Sequence, residues 1–139
     1  MLFVIGTEFI RNPAGRYYTD GDGSGEEFRE EFLRPMLEYV KGLDEKLQID
    51  IDTNVSSYGS SFLVEAFGHL VTYGYYKKEF VLDKVDILHE RKVFSLFSNK
   101  IKKYISDAEY DSGIYVSTKE KALKSGAYSN KIKKLNLSK

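Results

Sequence analysis

The sequence predicts an α/β fold in which about three helices pack on a small mixed β-sheet. Apolar residues recur at every second position in some segments and at steps of three and four in others, and the two kinds of segment alternate along the chain. In addition, 42% apolar and 14% aromatic residues in a chain of 139 are enough for a packed core. We expect one domain over residues 1–116 and a basic, flexible tail over residues 117–139.

The first predicted elements are a hairpin and the start of a helix. Residues 2–10 are rich in β-branched and aromatic side chains, and residues 15–19 form a second extended run, so the two are predicted to pair. Ser24 and Glu27 have the spacing of a capping box, in which each side chain satisfies a free backbone N–H group of the other residue. This pattern places the start of a helix at Ser24.

The first helix is predicted to bury one face against the sheet. Its apolar residues recur at helical spacing, Pro35 predicts a kink, and Gly42 predicts the end of the helix. The apolar residues are Phe28, Phe32, Met36, Leu37 and Val40, and those predicted to face water are Glu26, Arg29, Glu30 and Arg34.

The next segments continue the alternation of strand and helix. Leu47, Ile49 and Ile51 are separated by polar residues, which predicts a strand whose other face carries Asp50 and Asp52. The rest of the chain predicts a second helix over 62–71, with Gly74 as its end, and a third helix over 93–105. Between them we expect a helical turn over 77–82 and a strand over 84–88. A short strand or loop is expected over 113–117.

The composition and the absence of known motifs exclude several kinds of functional site. The absence of cysteine excludes disulfides, thiolate metal sites and cysteine nucleophiles, and two histidines leave little for metal binding. No run approaches the ~20 apolar residues of a membrane span. There is also no Gly-x-Ser-x-Gly elbow, phosphate-binding loop or dinucleotide fingerprint. We therefore expect a soluble cytoplasmic protein that has no cofactor, does not bind membranes and is not an enzyme.

The net charge of zero conceals a strong asymmetry. Residues 117–139 carry seven lysines and one glutamate, a net of +6, so residues 1–116 carry −6. Lys131, Lys133 and Lys134 lie near Tyr128, a weak version of the basic and aromatic pattern of nucleic-acid binding. Because the body is acidic, we do not expect nucleic acid as a partner.

Ser60 and Ser61 stand where a strand-like run gives way to the second helix. A serine at a helix start can cap free N–H groups, and the same groups can stabilise a phosphate if the hydroxyl is modified. The flanking Tyr58 and Phe62 belong either to a partner surface or to the core. The serine pair is thus a cap, a switch or both.

Three motifs in order resemble the STAS-like domain family DUF4325. They are Ser-Gly-Glu-Glu-Phe-Arg-Glu-Glu-Phe-Leu-Arg-Pro-Met-Leu from Ser24, Ile-Asp-Ile-Asp from Ile49, and Tyr-Gly-Ser-Ser-Phe-Leu-Val-Glu-Ala-Phe-Gly-His-Leu from Tyr58. The resemblance runs from Arg16 to about Ile105. It implies a fold like that of anti-sigma factor antagonists, which bind partners rather than turn over substrates.

In those antagonists a serine at a helix start is phosphorylated by a kinase of the histidine-kinase-like ATPase fold, and the phosphate abolishes binding. Ser60 is the positional match and Ser61 the next candidate, whereas Gly59 and Phe62 depart from the antagonist pattern. The resemblance therefore implies a regulatory protein-binding module with an ATPase of that fold as partner. The candidate residues for partner binding or phosphorylation are Ser60, Ser61, Tyr58, Gly59, Phe62 and Glu65.

The sequence is also compatible with two other functions and with a homodimer. One alternative is a phage or mobile-element protein that binds a bacterial defence or regulatory complex. A second is a Mg²⁺-dependent enzyme that uses Asp50 and Asp52, because paired carboxylates hold this ion in phosphoryl-transfer sites. The tyrosine content also leaves room for a homodimer.

Overall fold

Three parallel strands form the sheet. In the computed structural model, which describes residues 1–111 and 113–137, β1 (Leu2–Val4), β2 (Leu47–Asp50) and β3 (Val85–Leu88) lie side by side in that order. The α/β class is confirmed. The predicted mixed sheet is wrong within these residues, since both strand pairs run parallel.

The predicted N-terminal hairpin does not form. After β1 the chain enters a π-helical turn, Ile5–Phe9. Gly6 in this turn packs against the loop after β2, where an added Cβ would lie 2.2 Å from the carbonyl oxygen of Thr53. The second predicted strand is replaced by a 3₁₀ turn, Tyr18–Asp20. The Asp20 carboxylate accepts hydrogen bonds from the backbone N–H groups of Arg16 and Tyr17, so these donors are not available to a strand.

Helix α1 consists of Gly25–Phe28, a π turn Arg29–Leu33, and Arg34–Lys41. Ser24 caps it as predicted, with Oγ accepting from the Glu27 N–H at 3.1 Å. The Glu27 carboxylate, however, accepts from Gly23 N–H at 2.8 Å and not from Ser24 N–H. The π turn directly precedes Pro35, which cannot donate to the helix and was predicted to kink it.

The apolar face of α1 is buried as predicted, but its polar face is not fully exposed. Glu26 and Arg29 have no exposed surface, so the expectation that they face water is wrong. Glu26 accepts hydrogen bonds from Thr118, and Arg29 donates to Glu65 on the following helix. Segments distant in sequence therefore cover this face.

The second helix, α2, consists of Ser60–Leu63, a π turn Val64–Gly68, and His69–Thr72. It is followed by α3 (Lys78–Lys84), α4 (Ser95–Asp107) and α5 (Lys119–Ser125). The predicted number of about three helices is too low, since the short α3 and α5 add to it. None of the helices in the described residues is long and apolar enough to span a bilayer.

One main core joins the sheet to the helices. The fully buried residues that fill it include Ile5, Phe28, Leu33, Met36, Leu47, Ile49, Phe62, Phe67, Leu70 and Ile101. The rings of Phe9, Phe28 and Phe32 pack together, with Phe9 4.9 Å from each of the other two. Phe28 also packs on Phe3 of β1 and on Phe62 of α2, each at 6.0 Å, so these rings join α1 to the sheet and to the start of α2.

Residues 117–137, here called the C-terminal segment, pack on the body of the domain. Ala122 and Tyr128 form a small second core with Tyr18. The Tyr128 hydroxyl donates to Glu27 at 2.9 Å, and Lys119 Nζ lies 2.8 Å from Glu31. The flexibility predicted for residues 117–139 stays a prediction, and its last two residues lie outside the described part.

Candidate functional site

The carboxyl ends of β2 and β3 lie at one edge of the sheet, and the loops that follow them meet there. In parallel sheets this edge is where ligands commonly bind. Asp52 follows β2 and Arg91 follows β3. The Asp52 carboxylate accepts from the backbone N–H groups of Glu90 at 2.7 Å and Arg91 at 2.5 Å, and also from the Arg91 side chain.

The Arg91 side chain connects the loop after β3 to the loop after β2 by hydrogen bonds. Its Nη2 donates to the carbonyl oxygens of Asp52 at 2.8 Å and Val55 at 2.5 Å, and its guanidinium lies 4.2 Å from the Phe94 ring centroid. Burial alone would raise the pKa of Asp52, but the N–H donors and charge of Arg91 lower it below the ordinary value. Asp52 is therefore an ionised structural anchor of this edge.

A polar cavity of about 400 Å³ opens beside this anchor. Residues 52–56 form one side, and Arg11, Glu90 and Arg91 complete it. Within the described residues, Arg11 makes no hydrogen bond or ion pair, so its guanidinium is available to a partner group.

The carboxylate of Asp50 closes the loop after β2 by an Asx turn. One oxygen accepts from the N–H groups of Asp52 at 2.8 Å and Thr53 at 2.9 Å, and the other accepts from the Thr53 hydroxyl at 2.7 Å. Protein donors thus already engage the oxygens of both predicted metal candidates, Asp50 and Asp52. In residues 1–111 and 113–137, no three acidic or histidine side chains are grouped to hold a metal ion.

Ser60 and Ser61 are the first residues of α2, and both are exposed. Gly59 occupies the capping position, and no side chain caps this helix. The first helical hydrogen bond runs from Leu63 N–H to the Gly59 carbonyl at 3.2 Å, so the N–H groups of the two serines have no partner within the helix. The interpretation of either serine as the helix cap is therefore wrong.

A lysine from α4 lies next to the first of these serines. Lys100 Nζ is 3.4 Å from the Ser60 hydroxyl oxygen. No hydrogen bond of the Ser61 side chain is formed within the described residues. The two candidate hydroxyls thus differ, because only Ser60 has a cation beside it.

The aromatic residues that flank the serines belong to the core. Phe62 is fully buried, and Tyr58 is 6% exposed and donates its hydroxyl to the Ile51 carbonyl at 2.7 Å. Burial raises the pKa of Tyr58. Of the predicted partner-binding residues, Gly59, Ser60 and Ser61 are therefore on the surface, and Tyr58 and Phe62 are not.

Glu65 is buried in the contact between α1 and α2. Its Oε2 accepts from Arg29 Nη1 at 2.6 Å and lies 3.0 Å from Nδ1 of His69, in a contact without hydrogen-bond geometry. Burial alone would raise the pKa of Glu65, but His69 and Arg29 lower it. It cannot meet a partner at the surface in this structure.

The predicted basic tail residues lie near acidic groups of the same chain. Lys134 Nζ is 3.5 Å from a carboxylate oxygen of Glu31, and Lys131 Nζ is 4.0 Å from one of Asp22. Lys133 lines a cavity of about 350 Å³ next to Phe9.

Sequence periodicity did not predict two ion pairs, Arg29 with Glu65 and Arg91 with Asp52. For Arg29 a signal existed: it precedes Leu33 by four residues and Met36 by seven, so it lies beside the apolar stripe of α1. For Arg91 we find no such signal, because it follows a strand in an irregular loop.

Comparison with known proteins agrees with the motifs. No curated protein and no solved structure matches the chain. A family model described as a STAS-like domain of unknown function (DUF4325) matches residues 24–89, a shorter stretch than the resemblance indicated. These residues include α1, β2, α2, α3 and β3, and thus both sides of the serine-bearing loop. Residues 24–89 of this chain therefore match the STAS-like domain family DUF4325.

Proposed function

We propose that this protein is a non-catalytic regulatory module that binds a protein partner at the start of α2, and that phosphorylation of Ser60 switches the binding off. The observation that carries the proposal is the exposure of two serine hydroxyls at a helix start that neither of them caps. Because neither hydroxyl caps the helix, modification of one of them does not remove a hydrogen bond that holds the helix start.

The surroundings of Ser60 suit a phosphate. A phosphoserine carries nearly two negative charges and accepts hydrogen bonds from free N–H groups at a helix start. Lys100, 3.4 Å from the hydroxyl, would add a direct ion pair. These contacts favour Ser60 over Ser61 as the modified residue.

The same edge of the sheet offers a partner several groups. Gly59 is exposed at the start of α2, and the polar cavity lined by Arg11 and Glu90 lies at the carboxyl ends of β2 and β3. The family resemblance implies an ATPase of the histidine-kinase-like fold as the partner. A phosphate at Ser60 would weaken this contact by adding charge to a surface that the partner must desolvate.

The proposal is tested with a purified ATPase of this fold from the same genome. Binding is measured by calorimetry for the wild-type chain and for Ser60→Asp, Ser60→Ala and Ser57→Asp, the last being a matched control on the same loop. We expect Ser60→Asp to weaken binding about tenfold or more, and the other two changes to have little effect. Equal affinity of all four proteins would contradict the switch.

A second measurement addresses the modification itself. The intact mass of the protein isolated from its host is compared with that of Ser60→Ala. We expect one added phosphate on the wild type and none on the variant. A phosphate that persists on Ser60→Ala would reassign the site to another residue.

A further inference from the structure

A second surface of the molecule combines tyrosine rings with arginine side chains. Arg29 lies between two rings, with its guanidinium carbon 4.8 Å from the centroids of both Tyr73 and Tyr115. Arg34 lies 3.5 Å from the centroid of Tyr75. We call this the tyrosine–arginine surface, and its outward residues are Arg16, Tyr17, Arg34, Tyr73, Tyr75 and Tyr115.

The rings hold one another in place. Tyr73 and Tyr115 have centroids 5.1 Å apart, and Tyr75 lies 6.5 Å from each of them. The three rings are half-buried, so part of each faces solvent. Tyrosine and arginine are the residues most enriched at the energetic centres of protein interfaces, and rings that are already fixed lose little entropy on binding.

The two exposed arginines of this surface have guanidinium N–H donors that no acceptor of the described residues uses. Arg34 donates through Nη1 to Glu30 at 2.6 Å, and its side chain is 37% exposed. Arg16, 35% exposed, approaches Glu65 only to 3.7 Å and makes no hydrogen bond through its guanidinium in the described residues.

The buried layer beneath is also incompletely paired. Nη2 of Arg29 and Oε1 of Glu65 have no hydrogen-bond partner in the described residues, although both side chains are fully buried. The guanidinium groups of Arg16, Arg29 and Arg34 lie near the carboxylates of Glu30 and Glu65, and the Glu26 carboxylate accepts from the Tyr115 hydroxyl, so the formal charges of the cluster balance. Within the described residues the guanidinium of Arg16 makes no hydrogen bond and that of Arg34 makes one, so a group that binds their remaining donors must bring acceptor oxygens.

We propose that the tyrosine–arginine surface binds an acidic segment of a protein partner, whose carboxylates pair with Arg16 and Arg34 while its apolar parts pack on the tyrosine rings. Bidentate pairing with carboxylate is the contact that arginine geometry favours. Nucleic acid is the poorer fit, because a polyphosphate needs several unpaired cations, whereas the exposed guanidinium groups of this surface are those of Arg16 and Arg34, and Arg34 already pairs with Glu30. The site contains neither Ser60 nor Ser61, and it is independent of the switch proposed above.

The experiment uses the full chain labelled with ¹⁵N and three probes. The first is a hexapeptide of four glutamates and two tyrosines, the second is the same peptide with glutamine in place of glutamate, and the third is a single-stranded hexathymidylate. We expect the acidic peptide to shift the amide signals of residues 16–17, 34, 73–75 and 115. The glutamine peptide should shift none of them.

Two double variants decide whether the arginines are responsible. Arg16→Gln with Arg34→Gln should weaken binding of the acidic peptide about tenfold or more. Lys102→Gln with Lys121→Gln removes the same charge from exposed positions elsewhere and should leave the affinity unchanged. Tyr17→Ala, at a ring that is 38% exposed, provides an additional test if the arginine variant unfolds, and should also weaken binding.

Three results would overturn the proposal. They are equal weakening by both double variants, amide shifts confined to other residues, and tighter binding of hexathymidylate than of the acidic peptide. The last result would assign the surface to nucleic acid.

Discussion

Nη1 of Arg29 donates a 2.6 Å hydrogen bond to Oε2 of Glu65, and neither side chain has any exposed surface. The bond joins α1 to α2, and the same nitrogen donates to the Glu65 backbone carbonyl at 2.8 Å. Burial alone would lower the pKa of Arg29, but Glu30 and Glu65 raise it above its ordinary value, so the pair is ionised inside the protein.

Removal of one partner of this pair should destabilise the fold strongly. We expect Glu65→Leu to lower the free energy of unfolding by about 3 kcal/mol, because it leaves the charge of Arg29 buried with Glu30 alone. The double change Arg29→Met with Glu65→Leu should cost less than the sum of the single changes, since it leaves no unpaired charge. Urea unfolding of the four proteins measures this. Strict additivity would show that the pair does not act as a unit.

Lys103→Gln is the control for that series. Lys103 pairs with Asp107 at 2.7 Å on the exposed face of α4. Because solvent screens such pairs, its loss should not change stability measurably.

Two buried glutamates should give opposite pH dependences. The pKa of Glu65 is lowered in the fold, so its stabilising contribution is present above the ordinary value of 4.5 and is lost as the pH falls through the lower, folded pKa. The pKa of Glu27 is raised, chiefly by burial, so protonation of this group favours the fold as the pH falls through that higher value.

Unfolding free energies between about pH 7 and about pH 3 test this. The loss of stability in acid should be smaller than in the wild type for Glu65→Gln and larger for Glu27→Gln. Parallel curves for the three proteins would contradict the assignment.

Substitution of Gly6 by alanine should destabilise the fold. Its added Cβ would lie 2.2 Å from the Thr53 carbonyl oxygen and 2.8 Å from Cγ2 of Val55, and a backbone atom cannot move aside as a flexible side chain can. We expect Gly6→Ala to destabilise the protein by about 2 kcal/mol or more.

Gly42→Ala is the matched control for this change. No atom lies within 4 Å of its added Cβ, and its φ of −90° suits alanine. It should leave stability unchanged or raise it by about 0.5 kcal/mol. Thermal unfolding compares the two variants, and equal melting temperatures would refute the close contact at Gly6.

The C-terminal segment should be ordered through Tyr128. The ring of this residue lies 4.7 Å from that of Tyr18, and its hydroxyl donates to Glu27. We expect the amides of α5 to exchange slowly in the wild type and rapidly in Tyr128→Ala, as measured by hydrogen exchange with mass spectrometry. Tyr39→Ala, at an exposed ring of α1, serves as the control. Rapid exchange already in the wild type would support the flexible tail that the sequence predicts.

Local patterns were enough to find most of the core and most elements. The alternation of Leu47, Ile49 and Ile51 marked β2, and the helical spacing of Phe28 to Val40 marked the buried face of α1. Such patterns report which side of an element is buried. They do not report what lies against the other side, and for that reason Glu26 and Arg29 were predicted to face water.

The sequence predicted a candidate site at Ser60 and Ser61, but it did not predict the geometry around these residues. Three ordered motifs led to the family and to Ser60 and Ser61. The role of these serines depended on backbone geometry, because Gly59 and not a serine occupies the capping position. Lys100 was not associated with Ser60, since the two are 40 residues apart in sequence.

The sequence by itself determined the α/β class, the match of residues 24–89 to the DUF4325 family and the apolar faces, since all three depend on residue types at short spacing. Only the tertiary structure decided that the strands run parallel, that Arg29 pairs with Glu65 across 36 residues, and that Tyr58 and Phe62 lie in the core. The physical reason is that register and the pairing of buried charges depend on contacts between distant segments, and local spacing carries no record of these contacts.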